Sequence, residues 1–312
     1  MSRALSQSSR PSSVAFYCSS GGNAGLACVH AANALGRPAT VVVPTSTKAF
    51  MVAKLRAAGA REVLQVGKVW ADADRFLRET VLVQARERGE EGIYVMPFDH
   101  EVIWEGHSTV VDEVRLQLEE MGLERPDVVV CSVGGGGLLN GICEGVERYG
   151  WDREGTVVLG VETEGADSWS QCVRTGEHVR LEAITSKATS LGCSKVCDRS
   201  FEIGTTRDYV KSAVLTDGEA AMGCWRLAED ENLLVELACG VNIALCYGGR
   251  LEKALGRPVR RDEVVVLEVC GGSAVTVDMM CEWKREYGYL DDKISKKEQA
   301  VVPSANTNGY HE

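Results

Sequence analysis

Four consecutive glycines at positions 134–137 constrain the fold of this chain more than any other feature of its sequence. They follow the apolar run 128–131, which is typical of a buried strand, and they precede residues 139–148, which predict a helix. Because glycine has no Cβ atom, several backbone N–H groups of such a turn can converge on one anion at the helix N-terminus. The turn therefore indicates a phosphate cup, with a merely flexible strand-to-helix turn as the alternative interpretation. Its spacing fits neither the dinucleotide nor the nucleoside-triphosphate glycine motif.

The alternation of strand-like and helix-like segments predicts a parallel, doubly wound α/β architecture. Two more glycine-rich segments, residues 19–25 and 270–273, also come directly after strand-like runs. In open α/β sheets, ligands bind beyond the carboxyl ends of the strands, so the three segments together predict one site for a small anionic ligand. The pattern also predicts a short strand at 233–236 and a single helix at 238–255.

Composition excludes several classes of protein. The 312 residues carry a net charge of -11 and no basic stripe, so nucleic acid is not an expected partner. No apolar run is long enough to span a membrane, and the Ser- and Arg-rich residues 1–13 lack the apolar region of a secretory signal. Most of the 12 cysteines lie in apolar runs and none forms a C-x-x-C pair, which favours free thiols and a cytoplasmic location.

The three glycine-rich segments match one family in residue identity, order and spacing. They read Ser19-Ser20-Gly21-Gly22-Asn23-Ala24-Gly25, Ser132-Val133-Gly134-Gly135-Gly136-Gly137-Leu138 and Val269-Cys270-Gly271-Gly272-Ser273. Supporting stretches lie at 39–44, 54–60, 97–99 and 104–107. Over about residues 14–288 the chain resembles the pyridoxal-phosphate-dependent L-serine/L-threonine dehydratases, which have the tryptophan-synthase-β-like fold.

This resemblance implies a fold and a division of the chain. The expected fold class is α/β of PLP fold type II, with two doubly wound parallel-sheet lobes and the cofactor between them. Residues 1–106 would form the smaller lobe with the Asn23 loop, and residues 107–290 the larger lobe with the glycine-rich phosphate loop. Residues 291–312 are polar and are expected to form a disordered tail. A homodimer and a small amino-acid substrate are further expectations from the family.

Roles at the site follow from the resemblance, residue by residue. Backbone N–H groups of the glycine run would hold the cofactor phosphate, and Asn23 would hydrogen-bond the phenolic oxygen. Cys270 would face the pyridine nitrogen, where a thiol is a weak partner that suits β-elimination better than transamination. The implied cofactor-binding residues are Asn23, Ser132, Gly134, Gly135, Gly136, Gly137 and Cys270, and the implied substrate-binding residues are Ser19, Ser20 and Gly21.

The resemblance also implies a site for a monovalent cation, K⁺. It would be formed by Glu162, Ala166 and Ser168, with carbonyls near Gly136, Leu191 and Cys193. Two alternatives stay open at this point. Glu162 could be an ordinary strand-end carboxylate, and Cys270 could be a small buried core residue.

The lysine on which the family's chemistry depends has no counterpart here. The family carries it in a Ser-Phe-Lys motif one helix upstream of the Asn-containing loop, whereas the first lysine of this sequence is Lys48. It forms the Schiff base and removes the Cα proton, and substitution by Lys54 or Lys187 has no family precedent. We therefore assign no catalytic residue, and we expect the sequence to start inside the family's domain, as part of a longer protein or as a shortened form.

The implied activity is β-elimination of L-serine to pyruvate and ammonia, or of L-threonine to 2-oxobutanoate, impaired by the lack of that lysine. A non-catalytic, shortened homologue with a binding or regulatory role is one alternative. A cysteine-synthase-like enzyme of the same fold is another, although Cys270, where serine is more usual in that branch, favours the dehydratases. An NAD-binding protein is a distant alternative because the G-x-G-x-x-G spacing is missing.

Overall fold

The computed structural model describes residues 1–291 and divides into two compact units, Met1–Ile103 and a second that begins at Trp104. Each unit is built on a sheet of four strands that all run parallel, as the sequence predicts. Of the expected tail, residues 292–312 lie outside the described residues. Asp291 is buried and forms ion pairs with Arg226 at 3.3 Å and Lys284 at 3.1 Å.

The first unit places its two most apolar strands at the centre of its sheet. The strands are β1 (Val14–Cys18), β2 (Ala39–Val43), β3 (Glu62–Gln65) and β4 (Glu91–Tyr94), in the spatial order β3-β2-β1-β4. Every residue of β1 and β2 is buried, because helices cover both faces of a parallel sheet. The helices are α1 (Ser2–Gln7), α2 (Asn23–Ala34), α3 (Ala49–Ala57), α4 (Trp70–Phe76) and α5 (Leu82–Glu87), with a π-helical turn at Leu77–Val81 between the last two.

The second unit repeats this arrangement on a larger scale. Its strands are β5 (Val128–Ser132), β6 (Val157–Thr163), β7 (Val210–Leu215) and β8 (Val265–Leu267), in the order β7-β6-β5-β8. Its helices, the first of which begins at the end of the first unit, are α6 (Glu101–Glu120), α7 (Gly137–Arg148), α8 (Ser168–Thr175), α9 (Asp198–Thr206), α10 (Asp217–Glu231), α11 (Leu237–Ile243), α12 (Arg250–Leu255) and α13 (Val277–Tyr287). Apolar side chains pack on both faces of this sheet.

Each sheet has one point where the strand order reverses. In the first unit the chain proceeds outward from β1 through β2 to β3 and then returns to place β4 on the other side of β1. In the second unit the chain proceeds outward from β5 through β6 to β7 and then returns to place β8 on the other side of β5. Crevices at such reversal points are where open α/β sheets bind ligands. The segments after β1, β5 and β8 are the three glycine-rich segments singled out in the sequence.

Two elements predicted from the sequence are wrong. Residues 233–236 form no strand but connect α10 to α11, and Leu233 and Leu234 are 52% and 45% exposed instead of facing a sheet. The helix expected at 238–255 is interrupted by a 3₁₀ turn at Ala244–Cys246. It resumes only at α12, since Gly248 and Gly249 have φ values of 64° and 68° that end a right-handed helix.

Helix α9 was not predicted by the sequence pattern. Within residues 1–291, no helix combines the length and the apolar character needed to cross a membrane.

Candidate active site

Residues 134–137, called the phosphate loop below, form the turn from β5 into α7. Gly136 immediately precedes the helix with φ 97°, a conformation that residues with a Cβ atom rarely adopt. A Cβ on Gly136 would lie 1.8 Å from the Ser200 hydroxyl oxygen, and one on Gly134 would lie 3.1 Å from the Ser190 carbonyl oxygen. Close packing behind the loop therefore requires glycine at position 136 and leaves little room at position 134.

The first turn of α7 has backbone N–H groups that can donate hydrogen bonds to a ligand bound at the phosphate loop. The helix has no side-chain cap, and its first turn closes with the Asn140 amide donating to the Gly136 carbonyl. The N–H groups before Asn140 consequently have no acceptor inside the helix. Together with the helix dipole they favour an anion at this end, which is the chemistry that a phosphate requires.

Cys270 lies in the turn after β8, beside the same reversal point as the phosphate loop. Its side chain is exposed, and its Sγ donates to Glu268 Oε2 at 2.6 Å, so the alternative of a buried core cysteine is excluded. Glu236, which the sequence did not single out for this role, holds the turn. Its amide donates to the Gly271 carbonyl at 2.9 Å, and its carboxylate accepts from the Ala274 amide at 3.0 Å.

The segment after β1 also depends on its glycines. A Cβ on Gly25 would lie 1.9 Å from the Ser20 carbonyl oxygen, and one on Gly21 would lie 2.9 Å from Thr47 Cγ2. Asn23 is the first residue of α2, and this helix has no side-chain cap. The first unit therefore presents a second helix N-terminus at its own reversal point, suited to a carboxylate.

A buried polar network fixes Ser19 beneath this segment. The fully buried Ser19 hydroxyl donates to Asp74 Oδ1 at 2.8 Å, and the Tyr94 hydroxyl donates to the same oxygen at 2.5 Å. Arg78 pairs with the other carboxylate oxygen at 2.9 Å. Burial, reinforced by the hydrogen bond to Asp74, raises the pKa of Tyr94 above its usual value. With its hydroxyl engaged in this way and no exposed surface, Ser19 holds the start of the segment in place.

Replacing Asp74 with asparagine is expected to destabilise the first unit. The change removes the charge that receives two hydroxyl donors and Arg78, at a cost of about 1 to 3 kcal/mol. Urea unfolding followed by circular dichroism measures the loss. The control is Glu79→Gln, an exposed carboxylate in the following π-helical turn, which should change stability by less than about 0.5 kcal/mol. Equal effects of the two variants would show that the network does not stabilise the segment.

Glu162 lies in β6, near its carboxyl end, and is fully buried. Its two carboxylate oxygens accept from the amides of Trp169 at 3.0 Å and Ser170 at 2.6 Å, in the first turn of α8. Burial raises the pKa of Glu162 to about 7 in spite of these hydrogen bonds. Ser168 donates its hydroxyl to the Cys193 carbonyl at 2.9 Å. The expected cation residues therefore lie on adjoining segments, and Ala166, between β6 and α8, is also buried.

Lys187, one of the two lysines considered as substitutes for the family's lysine, has its amine engaged in other contacts. Lys187 Nζ donates to Glu286 at 2.7 Å and to the Tyr287 hydroxyl at 2.6 Å. These hydrogen bonds raise its pKa above the ordinary value, so the amine stays protonated and is unsuited to act as a nucleophile or base.

Comparison with known proteins gives a consistent set of matches. A family model described as "Pyridoxal-phosphate dependent enzyme" matches residues 1–271. An L-serine dehydratase of Saccharomyces cerevisiae (strain AWRI1631) is 42% identical over 268 residues, which are 85% of this chain and 78% of the relative. An L-serine dehydratase/L-threonine deaminase of Bos taurus is 37% identical over 277 residues, 88% of this chain and 80% of the relative. The crystal structure of a fungal L-serine ammonia-lyase from Rhizomucor miehei matches with TM-score 0.78 at 33% identity, covering 92% of this chain and 85% of that one.

Proposed function

This chain belongs to the pyridoxal-phosphate-dependent enzyme family, and we propose that its site is that of an L-serine ammonia-lyase, which converts L-serine to pyruvate and ammonia. The family match confirms the expected cofactor, pyridoxal phosphate, and the expected α/β fold of PLP fold type II. The observation that carries the proposal is the phosphate loop, where Gly136 has positive φ at an uncapped helix N-terminus. L-threonine is proposed as a second substrate, by analogy with the relative named for both amino acids.

Different segments of this chain are proposed to bind different groups of the cofactor and the substrate. Amides of the phosphate loop bind the phosphate, and the segment 19–23 at the start of α2 binds the substrate carboxylate. Asn23, the first residue of α2, and Ser132, the last residue of β5, complete the proposed cofactor-binding set. Cys270 is proposed to lie beside the pyridine nitrogen, where its thiol, which donates to Glu268, is a weak hydrogen-bonding partner. When bound, pyridoxal phosphate supplies the electron sink that stabilises negative charge at the substrate Cα.

Cofactor binding by these 312 residues is expected to be reversible, because the family's lysine has no counterpart before Lys48. Purified chain titrated with pyridoxal phosphate should show saturable changes in absorbance that disappear on dialysis. Borohydride should leave no cofactor on the protein, and pyruvate formation from L-serine should be close to that of the cofactor alone. Cofactor fixed by borohydride would contradict this expectation, and peptide mapping would then identify the lysine. Absence of saturable binding would overturn the proposed site itself.

A non-catalytic binding or regulatory role is the second candidate, because every site residue proposed here binds the cofactor, the substrate or a cation and none is assigned as the base. The two functions are separated by joining to the start of this chain a segment that carries the family's Ser-Phe-Lys motif. Pyruvate formation by the fusion, and its loss when that lysine is replaced by alanine, would support the lyase. Cofactor and L-serine binding without pyruvate formation would support the binding role. No observation in the structure specifically favours a cysteine-synthase-like activity.

We propose K⁺ as the occupant of a cation site at Glu162, Ala166 and Ser168. Each carboxylate oxygen of Glu162 accepts one amide hydrogen bond and keeps further lone pairs for a cation. Among the described residues no cluster of three His, Cys, Asp or Glu side chains is present, so carbonyl oxygens would supply the other ligands.

Potassium is therefore expected to stabilise the protein. At about a hundred times its Kd, K⁺ should add about 2 to 3 kcal/mol to the free energy of unfolding. Unfolding midpoints measured in KCl and in the chloride of a large organic cation at equal ionic strength give the effect. Glu162→Gln should abolish the difference, and a difference that survives in this variant would place the cation elsewhere.

A cytoplasmic location and a homodimer complete the proposal. All 12 cysteines are free thiols, including the buried Cys18 and Cys28, which supports a reducing compartment. The apolar side chains of Leu116, Met121 and Leu123 are exposed at the end of α6 and just after it, which supports self-association. Light scattering of the purified protein tests the oligomeric state, and a monomeric mass would reject the dimer.

A further inference from the structure

Directly behind the phosphate loop lies a closed cluster of three buried polar side chains that the proposed function does not use. Ser200 donates its hydroxyl to Asn140 Oδ1 at 2.8 Å, and Asn140 donates its amide to Cys197 Sγ at 3.2 Å. The Cys197 sulfur and the Ser200 hydroxyl oxygen are 3.1 Å apart, which completes the triangle. Asn140 and Ser200 have no exposed surface. These three residues are called the backing cluster below.

The backing cluster contacts two successive residues of the phosphate loop. The amide of Cys197, just before α9, donates to the Gly135 carbonyl at 3.2 Å. The Ser200 hydroxyl occupies the space that a side chain on Gly136 would need, 1.8 Å from the ideal Cβ position. Asn140 belongs to α7, the helix whose N-terminus the loop forms. The cluster therefore ties the loop to the helix it starts and to a second helix behind it.

Helix α9 is itself held in place, so the backing cluster is a firm support. The indole Nε1 of the fully buried Trp169 donates to the Ser200 carbonyl at 2.9 Å. Gly204 allows this close approach, because a Cβ there would lie 2.5 Å from the same indole nitrogen.

Four consecutive glycines have many accessible conformations, and a cup made of backbone amides binds a phosphate well only when those amides are already oriented. A buried polar cluster selects one arrangement, since only there are its groups all hydrogen-bonded. We infer that Asn140, Cys197 and Ser200 are positioning residues that pre-order the phosphate loop and thereby set the preference for pyridoxal phosphate over unphosphorylated pyridoxal. This inference rests on the proposed function, in which the loop binds the cofactor phosphate.

The test compares the Kd of the 312-residue chain for pyridoxal phosphate with its Kd for pyridoxal, by equilibrium dialysis. Wild-type protein should prefer the phosphorylated form, and Ser200→Ala should reduce that preference by about tenfold with little change in the Kd for pyridoxal. Cys197→Ala should also reduce it, whereas Cys197→Ser, which keeps a hydrogen-bonding group at this position, should retain most of it. The control is Thr205→Ala on the exposed side of α9, where the hydroxyl donates only within its own helix.

The outcomes separate the two proposals. If wild-type protein shows no preference for the phosphorylated form, the phosphate loop and with it the proposed function fail. If wild-type protein shows the preference and the folded Ser200→Ala and Cys197→Ala variants keep it unchanged, only the role of the backing cluster fails. Circular dichroism establishes that each variant is folded, and Cys197→Ala provides the answer if Ser200→Ala does not fold.

Discussion

Replacing Gly136 with alanine is expected to lower the free energy of unfolding by about 3 kcal/mol or more and to weaken pyridoxal phosphate binding by about tenfold or more. Two effects add at this position. The φ of 97° is unfavourable for a residue with a Cβ, at a cost of about 1 to 2 kcal/mol. The new methyl group would also meet the Ser200 hydroxyl at 1.8 Å, so the loop or α9 must move. Urea unfolding and cofactor titration measure the two losses.

Gly155→Ala is the matched control for this change. Gly155 has φ 95°, close to that of Gly136, but nothing lies within 4 Å of its ideal Cβ position. It precedes β6 at the amino end of the parallel strands, whereas the phosphate loop follows the carboxyl end of β5. This variant should show the backbone cost alone, about 1 to 2 kcal/mol, and unchanged cofactor affinity. A loss of affinity equal to that of Gly136→Ala would show that general destabilisation, and not the loop, controls binding.

A second-site variant identifies the origin of the extra cost. Ser200→Gly removes the hydroxyl and the Cβ that obstruct a side chain at position 136. The double variant with Gly136→Ala should therefore lose less stability than the sum of the two single losses. Simple additivity would contradict the proposed clash.

The parallel sheets could be predicted from the sequence because the information is local. Residues 128–131 are a continuous apolar run, and residues 39–43 are apolar apart from Thr40; turn residues follow each run and close the strand. The carboxyl ends of β1, β5 and β8 could be predicted as well, because a glycine-rich segment directly follows each of these strands in the sequence. The run at 233–236 carries the same local signal, yet it is a connection between helices, because strand formation also needs a partner that the sequence pattern does not name.

The supporting side chains of the site could not be predicted, because they act across large sequence separations. Ser19 and Asp74 are 55 residues apart, and Asn140 and Ser200 are 60 residues apart. Serine, asparagine and aspartate are usually exposed in folded proteins. Only the tertiary structure shows that these four residues are buried and form hydrogen bonds in pairs. The local pattern placed no helix at α9, so the backing cluster had no predicted element to which Ser200 could be assigned.

Gly25→Ala is expected to reverse the usual effect of this substitution in a helix. Alanine in place of a helical glycine normally stabilises by about 0.5 to 1 kcal/mol. At Gly25 the new Cβ would lie 1.9 Å from the Ser20 carbonyl oxygen, which belongs to the backbone and cannot rotate away. Helix α2 must then separate from the segment after β1, at a cost of about 2 to 4 kcal/mol. Binding of L-serine to the cofactor-loaded protein should weaken as well, because this segment is proposed to hold the substrate carboxylate.

Gly106→Ala is expected to change the stability of the same protein in the opposite direction. Gly106 is exposed in the second turn of α6, with nothing within 4 Å of its ideal Cβ position, so alanine there should stabilise by about 0.5 to 1 kcal/mol. Urea midpoints of the two variants distinguish the effect of helix propensity from that of the close approach between Gly25 and Ser20. Isothermal titration calorimetry with L-serine measures the effect of each variant on substrate binding. If Gly25→Ala also stabilises the protein, the contact between α2 and Ser20 is not what requires glycine. If it destabilises but leaves L-serine binding unchanged, the segment supports the fold and does not bind the carboxylate.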